Sequence, residues 1–414
     1  MELHEGHELS EPVRKAWERS LTNGRAALTR RSLLRTAGLG ALAVGALTAC
    51  GIPAAEGNTG AASGTEDDSA TDKTVNFCNW PLYIDVDDKD KNRRPTLDEF
   101  TKATGIQVKY TEGVNDNVEF FGKIRPQLAA GQQTGYDLVV LTDWMAARII
   151  RLGWAEKLDP ARLPNAFANL EQRFRSPDWD PGRAYSYPWA GVQTMIAYNR
   201  KATGGKPVTS ITQLLTDPSL KGRVTFLSEM RDSIGLTLLD MGKRPENFTA
   251  DDFDAALARL QKGVDSGQIR RFTGNDYGDE LAKGDIAACA AWGGDLVQMR
   301  IDNPDIEYVI PEAGYITATD NMLVPRKARH LRNAEALIDW YYRPRVAAEL
   351  AAGITFVPPV IGTKEELEKI DKEAAANPLI VPDANMVAKG HPFRALSEAE
   401  DTAFEGKFAK LIGA

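Results

Sequence analysis

From Thr74 onward short apolar runs alternate with segments of helical periodicity, and this alternation constrains the fold more than any other feature of the chain. Val75 to Trp80 reads as a strand. A helix follows, with Thr96 and Glu99 as a capping box after Pro95, Leu97 and Phe100 on its apolar side and Gly105 to end it. Ile106 to Tyr110 alternates β-branched and aromatic residues, a helix covers Val118 to Ala130, and Asp137 to Leu141 has the continuous apolar character of a strand buried on both faces. The pattern resumes at Arg223 to Leu227. A helix over Ala250 to Lys262 carries Phe253, Ala256, Leu257 and Leu260 on one face, with Thr249 as cap and Gly263 as stop. Asp285 to Trp292 and Glu307 to Ile310 read as strands, and Asn333 to Leu350 as helices interrupted at Pro344. Strands alternating with helices imply an α/β fold of largely parallel sheets, whose ligand sites lie beyond the strand C-termini.

The 414 residues suffice for two domains, and 43% hydrophobic with 26% charged residues is the balance of a soluble globular body. The formal charge of -8, with acids and bases interspersed, supplies no basic stripe for nucleic acid and favours a cationic ligand. Four His, of which His4 and His7 fall in the first ten residues, and three scattered Cys make no zinc set and no disulfide framework. No Gly-x-Ser-x-Gly elbow is present, and Gly293-Gly294-Asp295 precedes no phosphate-loop lysine, so the expectation is a binding protein without cofactor or catalytic metal, not an enzyme.

The N-terminus reads as an address. Arg30 and Arg31 precede Leu33 and Leu34 in the manner of a twin-arginine export signal, and the apolar stretch from Thr36 to Ala49 is 14 residues long. As a helix that is roughly 21 Å, short for a membrane span but right for a signal core. Leu47-Thr48-Ala49-Cys50 resembles a lipobox, which makes Cys50 the expected lipidation site and residues 1–49 a removable signal. That segment holds seven bases and five acids, so the exported body has a formal charge of -10. Residues 50–73 are Gly-, Ala-, Ser- and acid-rich, the composition of a flexible tether between a lipid anchor and the body. The expected location is the extracytoplasmic face of the cell membrane, or the periplasm.

Just past the strand candidates stand Trp80 and Tyr83, then Thr142, Asp143 and Trp144, then Ser228, Glu229 and Asp232, then Trp292 and Asp295. An alkyl ammonium needs carboxylates at its charged ends and flat π surfaces along its methylenes, and this inventory supplies both. Trp154, Trp179 and Trp340 lack that placement and read as core. A quaternary amine is the nearest alternative ligand. Adjacent Tyr341 and Tyr342 suggest ferric ion more weakly, because they continue the inward face of a helix with Leu337, Ile338 and Trp340.

Several motifs in one order resemble the substrate-binding proteins of bacterial spermidine/putrescine ABC transporters, over about Thr74 to Pro359. Asn79-Trp80-Pro81-Leu82-Tyr83-Ile84 is similar to that family's N-W-x-x-Y, Thr101 to Ile106 to its T-x-x-T-G-I, and Tyr136 to Val140 to its Y-D-L-V-V. Trp292-Gly293-Gly294-Asp295 resembles W-x-G-D, Pro311-Glu312-Ala313-Gly314 resembles P-x-x-G before a cleft carboxylate, here Asp320, and Tyr342-Arg343-Pro344 resembles L-R-P.

The resemblance implies a type II periplasmic-binding-protein fold, two lobes joined by crossover strands that close by hinge motion around a polyamine. It places lobe 1 at residues 74–189 plus 303–351 and lobe 2 at 190–302 plus 352–414. Trp80, Tyr83, Trp144 and Trp292 become aromatic walls, and Glu229, Asp232, Asp295 and Asp320 ammonium partners. Leu82 stands where members often have an acid, a role left to Asp85 or Asp143. Phe356 stands where a cleft Tyr is common, and Pro188-Trp189-Ala190-Gly191 departs from the usual aromatic-W-G. The implied partners are ABC permease and ATPase subunits, with the binding protein a monomer. Cys78 and Cys289 fall in buried strands of different lobes and read as core residues, not a disulfide.

Overall fold

The computed structural model describes residues 67–413 apart from 88, 115, 116 and 275. The twin arginines, the lipobox and Cys50 lie outside the described residues. Ten strands form one continuous sheet: β1 (Thr74–Asn79), β2 (Gln107–Glu112), β3 (Leu138–Thr142), β4 (Ser186–Asn199), β5 (Val224–Leu227), β6 (Ile269–Thr273), β7 (Ala288–Trp292), β8 (Ile306–Val309), β9 (Tyr315–Leu323) and β10 (Gly390–Pro392). β1 lies between parallel β2 and β3, with Phe77 opposite Leu138, so Val75, Phe77 and Cys78 are buried; this is why the run is continuously apolar.

Two stretches of this sheet repeat one plan. The path β2-β1-β3-β9-β4 has three parallel strands followed by two antiparallel neighbours, and β6-β5-β7-β4-β8 repeats it with β4 as the fourth strand. β4 and β9 are long enough to serve both. Ser186 to Pro188 of β4 pairs with the Leu323 end of β9 beside β3, whereas Thr194 to Tyr198 pairs with β7. The register shifts between Pro188 and Ala190, as expected where proline lacks an N–H for the ladder. Gly191 also bridges Val357, which adds a third connection. The architecture is that of two α/β lobes joined by crossover strands, the type II binding-protein fold.

Each lobe has its own core. Phe77, Phe100, Leu138, Trp189, Tyr341 and Leu350 pack in the first, and Ile196, Phe226, Phe253, Leu260, Phe404 and Phe408 in the second. Cys78 and Cys289 are free and buried, in β1 and β7. Around the expected return of the chain to lobe 1 at residue 303, Ile306, Tyr315 and Ile316 pack with the second core and Met322 with the first.

Three local expectations also change. Residues 67–73 are docked on lobe 1 and do not belong to a loose tether: Asp68 N–H donates to Arg329 O at 2.7 Å, Asp67 pairs with Arg332 at 3.1 Å, and the Asn333 amide donates to Asp72 O at 2.8 Å. The helix Pro95–Thr104 has no side-chain cap from its own first turn; Asp85 accepts from the Thr96 N–H at 2.8 Å and from its hydroxyl. The capped helix at Thr249 runs through Gly263 to Asp265, and Gly263 serves not as a stop but as the place where Ile269 and Leu215 pack too close for a Cβ.

Candidate ligand cleft between the lobes

The C-terminal ends of β1, β3, β5 and β7 point at one another across the crossover strands, and the carboxylates gather there. In the first lobe Asp320, near the middle of β9 and opposite Thr142, accepts from the Tyr83 hydroxyl at 2.9 Å and from the Thr142 hydroxyl at 2.8 Å. Asp143 opens the helix Asp143–Arg151 and accepts from the backbone N–H of Thr319 at 3.2 Å and of Trp144 at 2.8 Å. In the second lobe Asp232, in the first turn of the helix Met230–Asp240, accepts from the Thr194 hydroxyl at 2.7 Å and the Trp292 indole N–H at 2.9 Å. Asp295, in the first turn of Gly293–Asp302, accepts from the Tyr277 hydroxyl at 2.6 Å.

Every one of these donors is uncharged. Among the described residues no Lys or Arg forms an ion pair with Asp143, Asp232, Asp295 or Asp320, and burial pushes the four carboxyls up to about 6. Asp232 and Asp143 repel each other, and Asp232 raises Asp320 in turn, so the charges of the two lobes already sense one another. A buried anion held by neutral dipoles keeps its geometry but not its charge balance. The arrangement stores an unmet demand for cations.

The aromatic residues divide. Trp292 stands beside Asp232 and packs edge-on to Tyr277, with 6.2 Å between ring centroids. Trp80 is fixed in the first lobe by its indole N–H on Val140 O at 3.1 Å. Tyr83 turns its hydroxyl to Asp320 and its ring to Phe356, 5.0 Å away. The Phe356 ring lies against the backbone of Gly294, where any Cβ would collide with it, which accounts for the second glycine of the Trp292–Asp295 motif. Phe356 therefore touches residues of both lobes. Trp144 is different: the Arg231 guanidinium lies 4.0 Å from its ring centroid and that of Arg148 5.0 Å, so its face is already shared with the protein's own cations.

Glu229 also departs from the expected role. It caps the helix Met230–Asp240, accepts from the Arg231 N–H, and faces the Arg231 guanidinium at 3.5 Å; burial still pushes it up to about 8. Its carboxylate is committed to Arg231, not left open. Asp85 is turned into the first lobe as a helix cap, so of the two residues considered in place of an acid at Leu82 only Asp143 joins the cluster. Leu82 itself is exposed, in a turn at φ 57°. Tyr341 and Tyr342 serve the core: the Tyr342 hydroxyl donates to Pro188 O at 2.7 Å and that of Tyr341 lies 2.9 Å from the Thr96 hydroxyl. Among the described residues no group of three His, Cys, Asp or Glu is placed to hold a metal ion.

Sequence reasoning missed Tyr277, Thr194 and the placement of Arg231. Tyr277 is fully buried and its hydroxyl both donates to Asp295 and accepts from the Trp292 backbone N–H at 3.1 Å. A buried Tyr hydroxyl needs a partner, and that was the available signal.

Two lobes, crossover strands and a polar cleft at the strand ends define a solute-binding protein. Residues 96–380 match the family model described as bacterial extracellular solute-binding protein, and the chain belongs to that family, whose members are transport receptors and not enzymes. It is 26% identical over 317 residues to the spermidine/putrescine-binding periplasmic protein of Salmonella typhimurium, covering 77% of this chain and 85% of that one. It is 28% identical over 338 residues to the putrescine-binding periplasmic protein PotF of Escherichia coli, covering 78% and 86%. Among solved structures, the spermidine/putrescine ABC transporter substrate-binding protein PotD of Streptococcus pneumoniae shares the fold, with TM-score 0.68 at 20% identity over 82% of this chain and 98% of that one. No helix among the described residues is long and apolar enough to cross a membrane.

Proposed function

We propose that this protein is an extracytoplasmic receptor that captures a polyamine of the putrescine or spermidine class between its lobes and delivers it to an ABC permease and ATPase. The observation that carries the reading is the set of four carboxylates, two from each lobe, Asp232 and Asp320 buried and Asp143 and Asp295 half-buried, held by hydroxyl, indole and backbone donors and, among the described residues, in no ion pair with Lys or Arg, although Arg231 lies near enough to lower Asp143 and Asp232. Ammonium groups spaced along an alkyl chain meet that demand, and Trp292, Trp80 and Tyr83 supply flat surfaces for the methylenes between them. The names of the relatives point the same way. Phe356 covers the cleft from the hinge side, and Asp232 with Asp295 faces Asp143 with Asp320 from the opposite lobe. The lobes are divided at residues 189–194 and within β9, and the receptor works as a monomer.

In the same reading residues 1–49 are removed on export, Cys50 carries the lipid, and the receptor is held at the outer face of the membrane. Mass spectrometry of membrane fractions should find a lipid-modified Cys50 as the N-terminus, and an intact precursor or a cut elsewhere would overturn the anchor. The ligand class is tested by calorimetry of residues 67–414 against putrescine, spermidine, choline and ferric ion. Saturable binding of a polyamine and none of ferric ion is expected; choline binding without polyamine binding would move the ligand to quaternary amines.

A further inference from the structure

Outside the four cleft carboxylates one further acid is buried at the seam of the lobes. Asp401 lies in the first turn of the helix Glu398–Ile412, which is seated on the second lobe by Phe404, stacked on Phe253 at 4.0 Å, and capped by a reciprocal Ser397 and Glu400 box. One oxygen of Asp401 accepts from Arg231 Nη2 at 2.6 Å. The other accepts from Arg148 Nη2 at 2.6 Å and Nε at 3.1 Å, with Arg151 at 3.8 Å. Arg231 belongs to the second lobe, whereas Arg148 and Arg151 lie on the helix Asp143–Arg151, packed in the first through Met145 and Ile149. A single carboxylate, 4% exposed, is thus divided between the lobes.

The seam adjoins the cleft in both directions along the chain. Trp144, whose ring receives Arg231 at 4.0 Å and Arg148 at 5.0 Å, follows the cleft residue Asp143, and Arg231 precedes the cleft residue Asp232. Glu405 at 2.7 Å and Glu229 at 3.5 Å hold Arg231 from its own lobe. Hinge opening must therefore part Arg148 from Asp401, while the contacts of Arg231 within its own lobe can persist. From this geometry we infer that Asp401 is a positioning residue, an interlobe latch that holds Arg148 and Arg231 together over Trp144 and so couples lobe closure to the placement of Asp143 and Asp232. The inference rests on the cleft being the ligand site.

Without the Asp401 charge, two guanidiniums face each other over one indole with no shared anion, and like charges at a desolvated seam repel. Asp401→Asn should therefore release putrescine or spermidine at least tenfold faster than wild type in stopped-flow measurements. Arg148→Met should release it about threefold faster. The double variant should bind better than Asp401→Asn alone, because removing Arg148 removes the repulsion. A residue that only stabilised its helix would show no such rescue. Wild-type release rates in both single variants, or a double variant weaker than Asp401→Asn, would overturn the latch. Should Asp401→Asn not fold, Arg148→Glu, at a partly exposed position, sets like charges across the seam; faster release supports the latch, and an unchanged rate contradicts it. If wild type binds no polyamine, the functional reading falls. Small-angle scattering of the ligand-free protein then decides the latch: a larger Arg148→Glu particle upholds it, and one of wild-type size does not.

Discussion

The cleft and the seam beside it hold carboxylates in opposite ways. At the seam Asp401 lies between Arg148 and Arg231 at 2.6 Å each, so its charge is answered from within the protein. In the cleft Asp143, Asp232, Asp295 and Asp320 have only hydroxyl, indole and backbone donors, and burial lifts each to about 6. The two regions are joined through Asp143-Trp144 and Arg231-Asp232. The contrast separates two uses of a carboxylate between lobes. At the seam a guanidinium from each lobe answers Asp401 while the lobes are closed; in the cleft orientation is fixed and the counter-charge is withheld.

The sharpest break of this contrast is Asp295→Asn. It keeps the shape and the bond to Tyr277 but removes a charge that has no internal partner. Polyamine affinity should fall by about 2 to 5 kcal/mol, roughly thirtyfold to several-thousandfold, with no loss of melting temperature in the unliganded protein. Calorimetry showing near-wild-type affinity would return Asp295 to a structural role. Next is Trp292→Ala, which removes an aromatic surface and the indole donor of Asp232; a loss of about 1 to 3 kcal/mol is expected, and an unchanged titration would place the indole in the core.

Acidity should act on the stability of the ligand-free cleft and on its affinity in opposite senses. Each cleft carboxyl has a folded pKa of about 6, above its unfolded value, so its ionised form costs stability at neutral pH and that cost disappears as pH falls below about 4. With respect to these groups the ligand-free protein becomes more stable on acidification from pH 7 to 5. Polyamine binding needs the ionised forms and should weaken as pH drops through about 6. Melting curves and titrations at pH 7.5 and 5 should therefore shift in opposite directions, and parallel shifts would contradict the account. The smallest effect is expected from Tyr277→Phe, which removes one neutral donor from Asp295 and should cost about 0.5 to 1.5 kcal/mol of affinity. A loss as large as that of Asp295→Asn would mean that Tyr277 does more than orient the carboxylate.

The two regions also differ in how far they could be read from the chain. β1, β3, β5 and β7 are short and largely buried, and Trp80, Asp143 and Trp292 stand at or one place past the ends of β1, β3 and β7, so the α/β class and part of the cleft were legible from strand ends alone. β4 and β9 were not, because as crossovers between lobes they carry Gln193, Thr194, Thr319, Asp320 and Asn321 inside strands and break the apolar pattern. Asp320 was reached only by resemblance. The cap formed by Glu229 was not legible, because nothing in Ser-Glu-Met-Arg-Asp says that the Glu caps the helix and faces the Arg two places on. The seam was invisible, since Arg148 and Asp401 are 253 residues apart and each reads locally as a surface helix charge.

If the cleft withholds a counter-charge for a cationic ligand, binding must be linked to proton release from its carboxyls. Calorimetry of wild type with putrescine and spermidine, run near pH 6 in two buffers of different ionisation enthalpy, reports the protons released as ammonium groups displace them from the cleft carboxyls. Saturable binding with net proton release that diminishes toward pH 8 is expected, and no binding of an uncharged diol of the same length as putrescine. Binding without proton release, or a diol that binds as well as the diamine, would contradict it.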